Sequence, residues 1–307
     1  MHRWDKIYLE LTKARLTALV VATTLVGFLL ASGGVLDGGR LFWTVLGTAV
    51  AAGGANGLNQ VWEVDRDRRM ERTRQRPIPS GRMGRRHGFF FALALAAAGP
   101  VLLAAGAGPM AGLLGLSAVI LYVFAYTPLK TRSPACTLVG AVCGAIPPMI
   151  GWAGAEGRLS LGAFVLGAIL FVWQIPHFLS LAWIYREEYA RASFRMLPVV
   201  DRGGSVTFAM VLLYSLGLLP VALSLTLAGT TGALYSVGSI VLGSAFLWLG
   251  VRLYRRRGAA DARRLFLASI IYLPLLLGLM VADRAPESVP FAGERSGESG
   301  DVLVSRR

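Results

Sequence analysis

Nine apolar stretches, each close to 20 residues long, dominate the chain: roughly 16–34, 42–61, 88–107, 110–126, 135–153, 161–184, 206–229, 232–253 and 264–282. About 20 apolar residues in helical conformation cross the hydrocarbon core of a bilayer. Lipid offers a backbone no hydrogen-bond partners, and runs of this length satisfy their own N–H and C=O groups as helices, not as barrel strands. The expectation is an all-α, polytopic membrane bundle of about nine transmembrane helices. The composition agrees, with 55% of residues hydrophobic and 16% charged, against roughly a quarter charged in soluble domains. The first stretch follows Met1–Lys6 without a convincing cleavage site and is expected to persist as a helix.

A net charge of +14 raises the question of nucleic acid. The distribution answers it. With the N-terminus placed in the cytoplasm, the inner segments hold 25 of the 31 Lys and Arg residues and the outer segments hold 6. That asymmetry is the positive-inside pattern of a multi-pass protein in a cell's inner (plasma) membrane, N-terminus in and C-terminus out. Its inner arginines meet anionic membrane lipids, and no nucleic-acid partner is expected.

Residues 1–285 read as one membrane domain, and 286–307, rich in Pro, Gly, Ser and Glu, as a disordered polar tail. Two long polar connections, about 62–87 and 185–205, face the cytoplasm and carry seven of the 17 acidic residues. Cys136 and Cys143 have neither metal nor disulfide spacing and read as packing residues. Gly140 and Gly144 have the spacing of a close helix–helix contact.

The most informative segment begins inside the second stretch and runs out of it. Asn59, Glu63 and Asp67 stand at i, i+4 and i+8, within an arc of about 80° on two turns of helix. Asn56 lies about 60° from Asn59 in that arc, whereas Asp65 points away. An amide and two carboxylates on one face are hard oxygen ligands for Mg²⁺, an ion that shares its shell with substrate phosphates. Ionisable groups at a membrane edge are costly, which argues for function. Arg72 and Arg76 follow, with forks suited to phosphate oxygens.

This segment carries a resemblance. N-x₃-E-x₃-D at Asn59, Glu63 and Asp67 resembles the first Asp-rich motif of the UbiA superfamily of intramembrane prenyltransferases. Glu63 stands where Asp is usual, and Gln60 where the family has its first acid. The longer run from Asn56 to Pro77, N-x₂-N-Q-x₂-E-x₃-D-x₂-M-x-R-T-x₂-R-P, is similar to the protoheme IX farnesyltransferase (haem O synthase) branch. Tyr126 and Lys130 resemble the superfamily's Y-x₃-K element. Trp173-Gln174-Ile175-Pro176-His177-Phe178, and the stretch from Tyr185 through Glu188 to Asp201, resemble further elements of that branch.

The resemblance implies a UbiA-like fold and transfer of a farnesyl group from farnesyl diphosphate to a vinyl group of haem B. Mg²⁺ is then the cofactor and haem a substrate, the product is haem O, and a haem A synthase is a natural recipient. The site would open toward the cytoplasm. Asn59, Glu63, Asp67 and Glu188 become the catalytic and metal-binding candidates, with Glu187 and Asp201 as other possible second acids. Asn56, Arg72, Arg76, Tyr126, Lys130, Trp173, Gln174 and His177 become the substrate-binding ones. Trp62, Phe124 and Trp173 are candidates for steadying an allylic cation through their ring faces. A UbiA-type transferase of a quinone or chlorophyll precursor is the alternative.

Overall fold

A computed structural model describes residues 3–284; the expected tail, 286–307, lies outside the described residues. Within them all the regular structure is helical, apart from one isolated bridge between Thr231 and Arg284. Nine spans among the described residues are long and apolar enough to cross a membrane. The protein is an integral, multi-pass membrane protein.

A short α1 (Arg3–Leu11) precedes α2 (Ala14–Ala31), α3 (Gly38–Asp67), α4 (Arg85–Gly106) and α5 (Pro109–Ile120). A π-helical turn, Leu121–Tyr126, and the three-residue α6 (Thr127–Leu129) continue α5 to the end of its span. Then come α7 (Cys136–Glu156) and α8 (Leu161–Ile184), the short α9 (Arg186–Arg191) and α10 (Leu197–Val200), and three long helices. These are α11 (Ser205–Leu227), α12 (Ala233–Arg256) and α13 (Ala259–Ala282).

The apolar pattern marks the second stretch only to about residue 61, but α3 continues for 30 residues to Asp67. At 1.5 Å per residue it is about 45 Å long, more than a hydrocarbon core requires. Its final turns are polar in composition yet remain helical because they are packed: Asn59, Glu63, Val64 and Asp67 are all buried. The stripe of candidate ligands therefore stands on one rigid rod.

Small residues set how closely the neighbours approach. A side-chain carbon added at Gly27 of α2 would lie 2.0 Å from the Pro148 carbonyl oxygen of α7. One added at Gly151 of α7 would lie 1.8 Å from the Thr24 carbonyl oxygen of α2. Only glycine permits that backbone contact. It holds α2 and α7 together beside α3. The largest apolar cluster lies in the other half, where Leu166, Ile169, Phe208, Leu218, Tyr235, Phe246, Leu265 and Leu276 join α8, α11, α12 and α13.

Candidate active site

Where α3 ends, a small polar hollow of about 80 Å³ is lined by Lys13, Asn59, Glu63, Asp67, Arg72, Arg76, Tyr126, Lys130 and Tyr189, among others. Each oxygen ligand of the α3 stripe is held by a different cation. Lys13 Nζ donates to Asn59 Oδ1 at 2.9 Å, Lys130 Nζ to Glu63 Oε1 at 2.9 Å, and Arg76 Nη1 to Asp67 Oδ2 at 2.8 Å. The Asn59 amide donates in turn to Thr127 Oγ1 at 3.1 Å. The loop after α3 folds back because Thr73 Oγ1 donates to the Asp67 carbonyl at 2.9 Å. That return brings Arg76 onto Asp67. Asp65 is exposed and pairs only with Arg68, as its position on the helix predicts.

Lys13 was not among the expected site residues. It is the junction between α1 and α2, with φ 50° and ψ 54°, a left-handed conformation uncommon outside glycine. The turn redirects the chain and sends the Lys13 side chain into the hollow. Gln60 secures that junction: its Nε2 donates to the carbonyls of Glu10 at 2.9 Å and Leu11 at 2.8 Å. Burial, reinforced by the charges of Arg76 and Lys130, pulls the Lys13 pKa down to about 7. Lys130 moves the opposite way. Burial works against its charge, but the Glu63 carboxylate beside it wins and raises its pKa. Lys130 also stands 4.5 Å from the Tyr126 ring centroid.

Arg72 donates to the Tyr189 hydroxyl at 3.0 Å and lies 4.8 Å over the Tyr185 ring. Tyr185 and Tyr189 are one helical turn apart, so the face of α9 toward the hollow is phenolic. Glu188, expected as a further metal ligand, is absent from the lining, although its carboxylate is close enough to raise the pKa of Arg72, as the Tyr189 hydroxyl does. Glu187 is exposed. Asp201 is engaged elsewhere, accepting from Thr207 N at 2.7 Å and Thr207 Oγ1 at 2.8 Å at the start of α11. Burial of that carboxylate opposes its charge, but the Thr207 and Ser205 donors outweigh it and depress its pKa. No group of three or more His, Cys, Asp or Glu side chains among the described residues is arranged to hold a metal.

What the hollow offers a metal is two carboxylates and an amide. One of those oxygens, Asp67 Oδ1, is buried with no hydrogen-bond partner, an arrangement that costs stability unless something fills it. The set fits Mg²⁺ whose remaining ligands are phosphate oxygens. Three lining cations, Arg72, Arg76 and Lys130, with Lys13 as a fourth when protonated, face two lining carboxylates, Glu63 and Asp67. The surplus of positive charge suits a polyanion.

Tyr126 also lines a second cavity of about 250 Å³, apolar in character, between α2, α3, α5, α7 and α8. Asn56 belongs here rather than to the hollow: its amide donates to Thr17 Oγ1 at 3.3 Å and its oxygen accepts from Tyr122 OH at 3.2 Å. The π-helical turn carries Tyr122 and Tyr126, and both rings reach this cavity. Tyr122 was a second omission. The register shift of a π-turn cannot be read from an apolar stretch. Gly140 and Gly144 do more than pack helices. A side-chain carbon would fall 2.8 Å from Tyr126 Cε2 at the first and 2.1 Å from Gln174 Oε1 at the second. They clear space for two site residues.

Trp173 and His177 line neither cavity. They stack at 4.8 Å between ring centroids and both reach Ser269 of α13. Trp173 Nε1 donates to the Ser269 carbonyl at 3.1 Å, and His177 Nδ1 lies 2.6 Å from Ser269 Oγ. The Ser269 hydroxyl donates to the Phe266 carbonyl at 2.6 Å. Trp62 and Phe124, candidates for facing an allylic cation, are 46% and 65% exposed on the outer surface of the bundle.

A helical membrane bundle with amide and carboxylate ligands on one helix, ringed by cations and opening on an apolar chamber, is the design of an intramembrane prenyltransferase. The chain belongs to the UbiA prenyltransferase family, which it matches over residues 20–273. The protoheme IX farnesyltransferase of Solibacter usitatus (strain Ellin6076) is 43% identical over 286 residues, covering 90% of this chain and 98% of that protein. Likeness at that level and length sets the chain among the protoheme IX farnesyltransferases of the family. A solved structure of digeranylgeranylglyceryl phosphate synthase has a TM-score of 0.78 at 14% identity, covering 91% of this chain and 97% of that one. A UbiA homolog from Archaeoglobus fulgidus, solved with DMAPP and Mg²⁺, has a TM-score of 0.64 at 14% identity and covers 89% and 98%. These two establish the shared fold.

Proposed function

We propose that this chain transfers the farnesyl group of farnesyl diphosphate to a vinyl group of haem B, with addition of water, releasing diphosphate and forming haem O. The observation that carries the reading is the junction at Tyr126. There a cation-rich hollow of oxygen ligands meets an apolar cavity, the two halves of a prenyl diphosphate. The names of the 43% identical relative and of similar proteins support haem as the acceptor.

Asn59, Glu63 and Asp67 would hold Mg²⁺, in keeping with the ion and prenyl diphosphate named for the Archaeoglobus fulgidus homolog. Bound there, the ion supplies Lewis-acid neutralisation of the departing diphosphate. The protein's own cations do the rest. Lys13, Lys130 and Arg76, engaged with Asn59, Glu63 and Asp67 in the free protein, turn to the phosphate oxygens when these arrive. Arg72, fixed by Tyr185 and Tyr189, adds a fork. Fixed positive charge aimed at the leaving group is worth most in a water-poor site.

The farnesyl tail lies in the apolar cavity, and C1 sits beside the Tyr126 and Tyr122 rings. Their faces steady developing allylic charge by about 0.5–2 kcal/mol each, and the apolar walls keep water from quenching it. Gln174 lines the same cavity and is the α8 residue placed to meet the acceptor. By the charge asymmetry of the loops, the hollow faces the cytoplasm in a plasma (inner) membrane. A haem A synthase would receive the product.

The test is direct: purified protein in lipid nanodiscs is incubated with haem B, farnesyl diphosphate and Mg²⁺, and the haems are separated by mass. A hydroxyethylfarnesyl haem that requires all three is the expected product. Its absence while a quinone precursor is prenylated would replace the acceptor.

A further inference from the structure

Gln174 differs from the other polar residues that line the apolar cavity. It is 6% exposed, and no described residue hydrogen-bonds to its amide. A buried amide with neither donor nor acceptor engaged is costly and marks a place where a polar molecule belongs. Asn56, the other amide in the cavity, is already held between Thr17 and Tyr122. The Thr48 hydroxyl also lacks a partner. It stands eight residues along α3 from Asn56, about 12 Å from the level of the reacting C1.

The glycines of α7 give Gln174 its place. The carbon that would meet Tyr126 Cε2 belongs to Gly140; the one that would meet the Gln174 amide, 2.1 Å from Oε1 and 2.3 Å from Nε2, belongs to Gly144. Residues four apart on one helix face are about 6 Å apart. The amide tip and the Tyr126 ring therefore lie against one strip of α7 at about that separation. Two hydrogen bonds of about 2.8 Å, end to end, span it. That is room for one water molecule, with the amide on one side and the Tyr126 hydroxyl on the other, the two polar partners a held water requires.

We infer that Gln174 is a positioning residue for the hydration half of the reaction: its amide holds the water that adds to the acceptor's vinyl group. The inference rests on the reaction proposed above. There the vinyl electrons form the C–C bond to C1 of the donor as the C1–O bond to diphosphate breaks. Positive charge is left on the vinyl carbon beside the porphyrin, and the water oxygen gives a lone pair to that carbon. An amide is too weak a base to keep the released proton. It passes by way of the Tyr126 hydroxyl, on a residue that lines both chambers, to the diphosphate in the hollow. Without an aligned water the same cation sheds a proton from its neighbouring CH₂ to the diphosphate. The product is then an unhydrated prenyl haem, lighter by one water. Holding a single molecule in place, about 3 Å from its target, also spares the allylic carbon, which loose water would quench.

The test is the partition between hydrated and unhydrated prenyl haem, measured by mass after protein in nanodiscs receives haem B, farnesyl diphosphate and Mg²⁺. The ratio within one tube is independent of how much enzyme is folded. Wild type should make chiefly the hydrated product. Gln174→Met keeps the length of the side chain without its amide and should raise the unhydrated-to-hydrated ratio at least about tenfold. Gln174→Asn withdraws the amide by one C–C bond, about 1.5 Å, and should shift the ratio the same way by about threefold; it carries the test if the Met variant does not fold. Gln174→Glu returns an accepting oxygen at full reach and should restore the wild-type ratio. Both products falling together at an unchanged ratio, as a merely structural role predicts, overturns the inference. So does loss of both products in variants that elute as folded protein, because the proposed water acts only after the C–C bond has formed. If wild type makes no prenylated haem of either mass, the proposed reaction itself fails, a separate result.

Discussion

Replacing Asp67 by Asn isolates the charge of one ligand while keeping its volume. Asp67 is 1% exposed, its Oδ2 accepts from Arg76, and its Oδ1 has no partner. The Asn oxygen can still accept from Arg76, so the loop stays anchored, but an NH₂ group then faces the spot where an ion would bind. The magnitude follows from Coulomb's law. One negative charge about 2.1 Å from a dication is worth about 4 kcal/mol even at the dielectric constant of water, and more in a buried hollow. At 1.36 kcal/mol per tenfold, that is a fall in kcat/KM of about a thousandfold or more. The assay is the rate of haem O formation against Mg²⁺ concentration, with size-exclusion elution in detergent as the check that the variant is folded. A correctly folded variant within tenfold of wild type, with the same Mg²⁺ dependence, would refute the metal assignment.

Three further substitutions probe the remaining parts. Lys13→Met removes a charged donor aimed into the hollow and should lower kcat/KM for farnesyl diphosphate about 10- to 100-fold, the worth of one charged hydrogen bond; steady-state rates at several donor concentrations check it. Glu188→Gln should leave the rate within about threefold of wild type, because its carboxylate does not line the hollow; a hundredfold loss would restore it as a ligand. Asp201→Ala should leave prenyl transfer intact and cost about 1 kcal/mol in thermal stability, the worth of a helix cap. The Asp201 pKa is depressed in the folded state, so this stabilisation is present above its unfolded value of about 4 and lost as pH falls through the lower folded value. The wild-type and Asp201→Ala melting curves should therefore converge in acid and separate at neutral pH.

What was legible in the sequence is what a single helix carries by itself. Stretches of about 20 apolar residues announce membrane helices because the bilayer leaves the backbone no alternative. The stripe of Asn59, Glu63 and Asp67 is readable because helical periodicity is local, and Asp65 could be excluded by the same rule. The return of Arg76 was half legible: the residue type was right for phosphate, but its rest position on Asp67 depends on the loop between.

Residues whose roles depend on another helix were hidden. Lys13 looks like any basic residue flanking a span, and only the left-handed turn and the Gln60 clamp aim it at Asn59 across 46 positions. His177 finds its partner in Ser269, 92 positions away, and only the turn of α9 brings Tyr189 to Arg72, 117 positions away. The composition and periodicity of each helix settled that this chain is a membrane bundle with a charged oxygen stripe. Which stripes face one another was decided only when glycine contacts fixed the distances between helices, since packing depends on pairs of surfaces and a lone helix has no record of its partner.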